Sequence, residues 1–152
     1  MSNFLLEVAA QRILITVLLC GLIGWERERR NKVAGLRTHI LVGVGSTLIV
    51  LTSYYIFDIY KSQVPVDPTR IISNIVTGIG FLCAGTIIRA GDQIIGLTTA
   101  ATLWIASSIG MAVGAGLYDV STFVAVVVFL VLIGVRSIEG KIHENNTHNI
   151  KK

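Results

Sequence analysis

The sequence predicts an all-α fold: a polytopic membrane bundle of five transmembrane helices, with the N-terminus outside and the C-terminus cytoplasmic. Three observations point there. The 152-residue chain is 53% hydrophobic and only 14% charged, with a mean hydropathy of +0.72, whereas a soluble domain carries roughly a quarter charged residues. Its apolar residues fall into runs long enough to approach a bilayer's thickness, separated by short polar breaks. Residues 73–116 hold two such runs, both far richer in Gly, Ala, Ser and Thr than a lipid anchor needs, and small residues mark the surfaces where helices touch in lipid.

The first span is expected over residues 5–25. Its fully apolar part, 13–25, is too short for a hydrocarbon core of ~30 Å, so Glu7, Gln11 and Arg12 fall in or near the membrane. The second is expected over 40–57, the third over 71–88, the fourth over 94–117 and the fifth over 120–135. Helices are required, because unpaired strands would leave backbone groups unsatisfied in hydrocarbon. The start lacks a basic residue before Arg12, and the first apolar run ends in Trp25-Glu26-Arg27-Glu28-Arg29-Arg30. Both features argue for a retained helix over a cleaved signal. The fifth run, β-branched and poor in small residues, reads as a lipid-facing edge helix. The expected domain is residues 1–138, followed by a short polar cytoplasmic tail, 139–152.

Orientation follows from the 13 Lys and Arg residues. With five spans, one face collects Arg12, Lys61 and Arg70. The other collects Arg27, Arg29, Arg30, Lys32, Arg37, Arg89, Arg136, Lys141, Lys151 and Lys152. The positive-inside rule places the second group in the cytoplasm. This distribution accounts for the net charge of +4 without a nucleic-acid partner.

Among individual residues Arg12 is the sharpest anomaly. It reads either as a side chain snorkelling to the outer headgroups beside an acid such as Glu7, or as a functional charge inside the membrane. Ser73, Asn74 and Thr77 are further intramembrane polar candidates. At the cytoplasmic face Glu26, Arg27, Arg37 and Thr38 lie in the first loop. Arg89 and Asp92 flank a second polar mouth lined by Thr98 and Thr99. Thr102, Ala106, Gly110 and Gly114 recur every four residues and form one helix face; with Gly78, Gly80 and Gly85 they are the expected helix-contact surface. Cys20 and Cys83 both fall in the cytoplasmic half of the bilayer, which favours free thiols. The histidines have no metal-ligand spacing, and no nucleophile or paired-acid arrangement is present. No metal, cofactor or catalytic activity is expected.

Gly24-Trp25-Glu26-Arg27-Glu28, Ala34-Gly35-Leu36-Arg37-Thr38-His39, Arg70-Ile71, Gly78-Ile79-Gly80-Phe81-Leu82-Cys83-Ala84-Gly85 and Gly96-Leu97-Thr98-Thr99-Ala100-Ala101-Thr102-Leu103-Trp104 resemble, in order and spacing, the MgtC/SapB family. The resemblance covers about residues 14–117. Cys83 departs from it, standing where the family usually has Gly, and where many members continue into a soluble C-terminal domain only a short polar tail is expected after the fifth span. The resemblance implies a bacterial inner-membrane protein linked to growth in low magnesium and to survival in host phagocytes. It implies action by binding other membrane proteins, the membrane sector of the F-type ATP synthase among them. The alternative from the residues themselves is a small transporter or channel for an ion or polar solute. Membrane lipids and a second copy of the chain complete the expected partners.

Overall fold

The computed structural model describes residues 2–63, 65 and 67–149. Five helices and one small hairpin follow one another: α1 (Ser2–Arg29), α2 (Leu36–Tyr60), α3 (Thr69–Ala84), β1 (Ile88–Ala90), β2 (Gln93–Ile95), α4 (Leu97–Gly114) and α5 (Tyr118–Asn149). α1, α2 and α4 are long and apolar enough to cross a membrane, while α3 and the 118–134 part of α5 are shorter apolar helices.

The bundle is built around α4, which packs against each of the other four helices. Its sequence suits that position: Ala100, Leu103, Ala106, Ile109 and Val113 are buried together with the small or polar Thr99, Thr102, Ser107, Gly110 and Gly114. Thr102, Ala106, Gly110 and Gly114 face the rest of the bundle. A Cβ placed on Gly110 would overlap the carbonyl of Gly43 in α2, and one on Gly114 would sit 2.9 Å from Val50 Cβ. α2 and α4 therefore meet backbone to backbone, as small residues permit in lipid. Gly24 does the same where α1 turns into α2, its added Cβ falling 2.8 Å from Leu36 Cα.

Gly78 and Gly80 differ. Both are exposed on α3 with nothing within 4 Å of an added Cβ. Gly85 forms the C-cap of α3 and lies against that helix's own carbonyls.

The facing ends of the third and fourth spans depart from expectation. The third span ends at Ala84, not at residue 88, and the fourth begins at Leu97, not at residue 94. Between them Ile88 pairs with Ile95, Arg89 with Ile94 and Ala90 with Gln93 in an antiparallel hairpin. Gly91, at φ +63, opens the turn, and of the two turn residues only this first one is left-handed, as such hairpins favour. The β-branched pairs Ile87-Ile88 and Ile94-Ile95 read as the ends of apolar runs, but Gly85 and Gly96 release them from the helices. α3 is thus 16 residues long, about 24 Å, which is short for a full crossing.

The first helix continues to Arg29 rather than residue 25, so the Glu26-to-Arg29 charges form its last turn. α5 continues to Asn149: no proline stops it, and the stretch expected as a polar tail is helical that far, with residues 150–152 outside the described part. Carboxylates tie the chain at the starts of α2 and α3. Glu28 Oε2 accepts the N–H of Leu36 at 2.7 Å, placing a carboxylate at the positive end of α2. Ahead of α3, Asp67 Oδ1 accepts from both the hydroxyl and the N–H of Thr69, at 2.6 and 2.9 Å. Those bonds hold the Asp67 carboxyl below the usual carboxylate range. Their contribution is complete above that range and is lost as pH falls through the lowered value.

Candidate functional site

A seam of small polar side chains runs along the junction of α1, α2 and α4. Thr16 Oγ1 and Thr47 Oγ1 are 2.8 Å apart, and Thr47 donates to the Gly110 carbonyl at 2.8 Å. One turn along, Ser46 and Ser107 meet at 2.8 Å. Closer to the start of α4, His39 Nε2 lies 3.1 Å from Thr102 Oγ1. Its Nδ1 faces the Gly35 carbonyl at 2.8 Å, which can only accept, so Nδ1 carries a proton. Thr102 in turn donates to the Thr99 carbonyl. Cys20 and Cys83 are free and buried, their thiols donating to the carbonyls of Ala106 and Ala100. No buried side-chain nitrogen or oxygen among the described residues lacks a partner. The seam joins the helices through paired polar groups, and at Ser46 and Ser107 it borders a groove. His39, fully buried, was passed over by sequence reasoning as a seam member, as were Thr16, Ser46, Thr47 and Ser107. The place of His39 near the start of a span, four residues before the small-residue run Gly43-Val44-Gly45-Ser46-Thr47, was the available signal.

At one end of the seam stands Arg12. Its Nη1 donates to the Gly114 carbonyl at 2.6 Å and its Nε to the Tyr118 hydroxyl at 3.3 Å. α4 ends there in a left-handed Gly116 (φ +89), with Leu117 N–H on the Ala112 carbonyl and Gly116 N–H on that of Val113, the Schellman pattern. That pattern leaves the Gly114 carbonyl for the guanidinium, at the negative end of the helix dipole. Arg12 therefore neither snorkels outward nor pairs with Glu7, which is exposed; it caps α4. Arg12→Leu is expected to cost about 1.5–3 kcal/mol, as for a hydrogen bond to a charged group, read as a lower unfolding midpoint in detergent. Arg12→Lys is expected to recover part of the loss.

The other end is basic. Glu26 and Arg27 are 4% and 5% exposed and form an ion pair at 2.5 Å, with Arg30 Nε on the second Glu26 oxygen at 3.3 Å. Arg29 lies over the Trp25 ring, 4.8 Å from its centroid. Of the cytoplasmic-face candidates, the fold brings Arg27, Thr98 and Thr99 together around a cleft of about 700 Å³. Arg37 is exposed and Thr38 half-buried, apart from that cleft. Arg89 and Asp92 do not pair: Arg89 Nε donates to the Gly91 carbonyl at 3.1 Å, and both residues are exposed on the hairpin.

Ser73, Asn74 and Thr77 are exposed on α3. Ser73 donates to its own helix at the Arg70 carbonyl. Asn74 and Gly78 line a groove of about 460 Å³ between α2 and α3, with Gly45, Ser46 and Ser107 across from them.

Apolar helices of this length, joined by a polar seam and finished by a basic end, define an α-helical membrane protein. The chain matches the MgtC family over residues 13–141 and belongs to that family. It is 41% identical over 139 residues to the protein named putative magnesium transporter YhiD of Escherichia coli K12, covering 90% of this chain and 65% of that one. It is 48% identical over 102 residues to protein MgtC of Brucella abortus, covering 66% of this chain and 40% of that protein. To protein MgtC of Salmonella typhimurium it is 38% identical over 132 residues, covering 87% and 54%. The chain thus spans less than two thirds of the length of these curated relatives. No solved structure matches it.

Proposed function

We propose that the protein is a non-catalytic modulator in the bacterial inner membrane, with its basic end in the cytoplasm, and that it acts by binding other membrane proteins. The observation that carries this reading is the outer side of α3. Thr77 and Gly80 are exposed there, and Asn74 and Gly78 are exposed beside them along the groove next to α2, on a helix expected to lie in lipid. A polar side chain facing lipid is costly and a bare glycine invites close helix approach, so this side suits another transmembrane helix. The face first expected to do so, Thr102 to Gly114, is occupied within the bundle.

Membership in the family supports a role in adaptation to low magnesium and in survival within hosts. A helix of the ATP synthase membrane sector or a second copy of this chain fits the α3 side equally. A photo-crosslinking residue at Thr77 is expected to capture one defined membrane protein in native membranes, where the same residue at Leu14 of α1 captures none. Gly78→Leu, built into open space, is expected to abolish capture without lowering the amount of protein. Equal capture from Thr77 and Leu14, or capture insensitive to Gly78→Leu, would remove the reading.

A second reading, transport of an ion such as Mg²⁺, has the name of the YhiD relative in its favour. Against it, no three of His, Cys, Asp and Glu gather among the described residues, and the buried acid Glu26 is already neutralised by two arginines. Flux of Mg²⁺ into liposomes carrying the purified protein would reverse the order of the two.

A further inference from the structure

We infer that the cleft at the basic end binds a phosphate group. Three independent features converge there. The first is the start of α4, an 18-residue helix whose N-cap is Gly96, with no side-chain cap and no acid in the first turn. Its first intrahelical acceptor, the Gly96 carbonyl, is taken by Ala100 N–H. The amides of Leu97, Thr98 and Thr99 therefore point out of the helix end without an internal partner, and that end carries the positive half of the dipole.

The second is Thr99. It is 4% exposed and lines the cleft, and its hydroxyl bonds to no side chain or carbonyl among the described residues. Since no sealed-off side-chain oxygen there lacks a partner, this hydroxyl keeps some access, and the cleft is the opening that Thr99 lines. The third is Arg27, 5% exposed, which lines the cleft and spends Nε and Nη2 on Glu26, leaving Nη1 with no partner among the described residues. Glu26 is also held by Arg30. Lys32 and Asn31 complete the rim, and among the described residues no carboxylate lines the cleft.

Outward amides, hydroxyl donors and a guanidinium held rigid by its ion pair are the donor set that recognises a tetrahedral oxyanion. The cleft accommodates several non-hydrogen atoms beyond that anion. Two sources carry the same chemistry: the phosphodiester of an anionic phospholipid, reached from the membrane side past Val131 and Leu132, and a soluble phosphate, reached past Lys32. Metal-ion binding is a different chemistry and this donor set does not serve it.

The experiment uses the full chain, purified in a zwitterionic detergent and reconstituted in phosphatidylcholine nanodiscs with or without phosphatidylglycerol. Inorganic phosphate in detergent is expected to raise the unfolding midpoint above that in chloride of matched ionic strength, or phosphatidylglycerol to raise it in nanodiscs. The first result assigns a soluble ligand and the second a lipid. Thr99→Val, which keeps the shape, is expected to weaken the effective ligand about tenfold. Lys32→Gln at the exposed rim is expected to weaken it less and to reduce its salt dependence. Both variants should unfold at the wild-type temperature when no phosphate is present, which separates lost binding from lost folding. The inference is overturned if neither probe shifts the midpoint beyond the chloride control, or if Thr99→Val responds as the wild type does.

Discussion

Gly110→Leu is expected to destroy the bundle, whereas Gly80→Leu, an identical change one helix away, is expected to leave it intact. At Gly110 an added side chain meets the carbonyl, carbon and Cα of Gly43, and these are backbone atoms of a helix already pinned by Thr47 to the Gly110 carbonyl. Overpacking against side chains that can move costs about 1–3 kcal/mol. Here nothing can rotate away, so α2 and α4 must separate and the Thr16–Thr47 and Ser46–Ser107 bonds part with them. The expected loss is at or above the top of that range, a large part of a stability of about 5–15 kcal/mol. At Gly80 nothing lies within 4 Å, and no change is expected. Protein level in membranes and the unfolding midpoint in detergent measure both. A Gly110→Leu protein that accumulates and melts like the wild type would contradict the backbone contact itself.

Glu26→Ala is expected to have an effect of similar size for a different reason. The carboxylate is buried between Arg27 and Arg30, and removing it leaves the Arg27 guanidinium charged, 5% exposed and uncompensated. Breaking a buried pair from one side costs about 3–5 kcal/mol, whereas replacing both partners by apolar groups is often close to neutral. The double variant Glu26→Ala, Arg27→Met should therefore be more stable than Glu26→Ala alone, although it contains one more substitution. Urea titration or thermal unfolding in detergent orders the three proteins. If the double variant is the least stable, the loss comes from packing and not from the stranded charge.

What could be read without coordinates was whatever the bilayer dictates directly. Hydropathy located the helices, and four-residue spacing located the face of α4 that carries Thr102, Ala106, Gly110 and Gly114. Spacing says which residues share a face but not what covers it, so the partner of that face, α2 of the same chain, was invisible. Apolar content likewise cannot separate the end of a helix from a hairpin strand, which is why Ile87, Ile88, Ile94 and Ile95 were assigned to spans. Arg12 was conspicuous as a charge in an apolar run. Its acceptor on Gly114 lies 102 positions away, and no local rule connects them. The basic cluster was legible as a topology signal, but the burial of Glu26 and Arg27 was not, because adjacent charges on a helix are ordinarily solvated. The cleft beside them needed three segments that the sequence keeps far apart.

The Arg12 cap also sets a schedule for biogenesis. At about 5–20 residues per second, the ribosome delivers the acceptor for this guanidinium roughly 5–20 s after the arginine itself. Through that interval α1 holds a cation with no protein partner and must keep it at the headgroups or against the insertion machinery. A nascent chain arrested before Gly114 should accordingly sit at a different depth from the finished one, and the arrival of α4 is the event that draws the first helix to its final position.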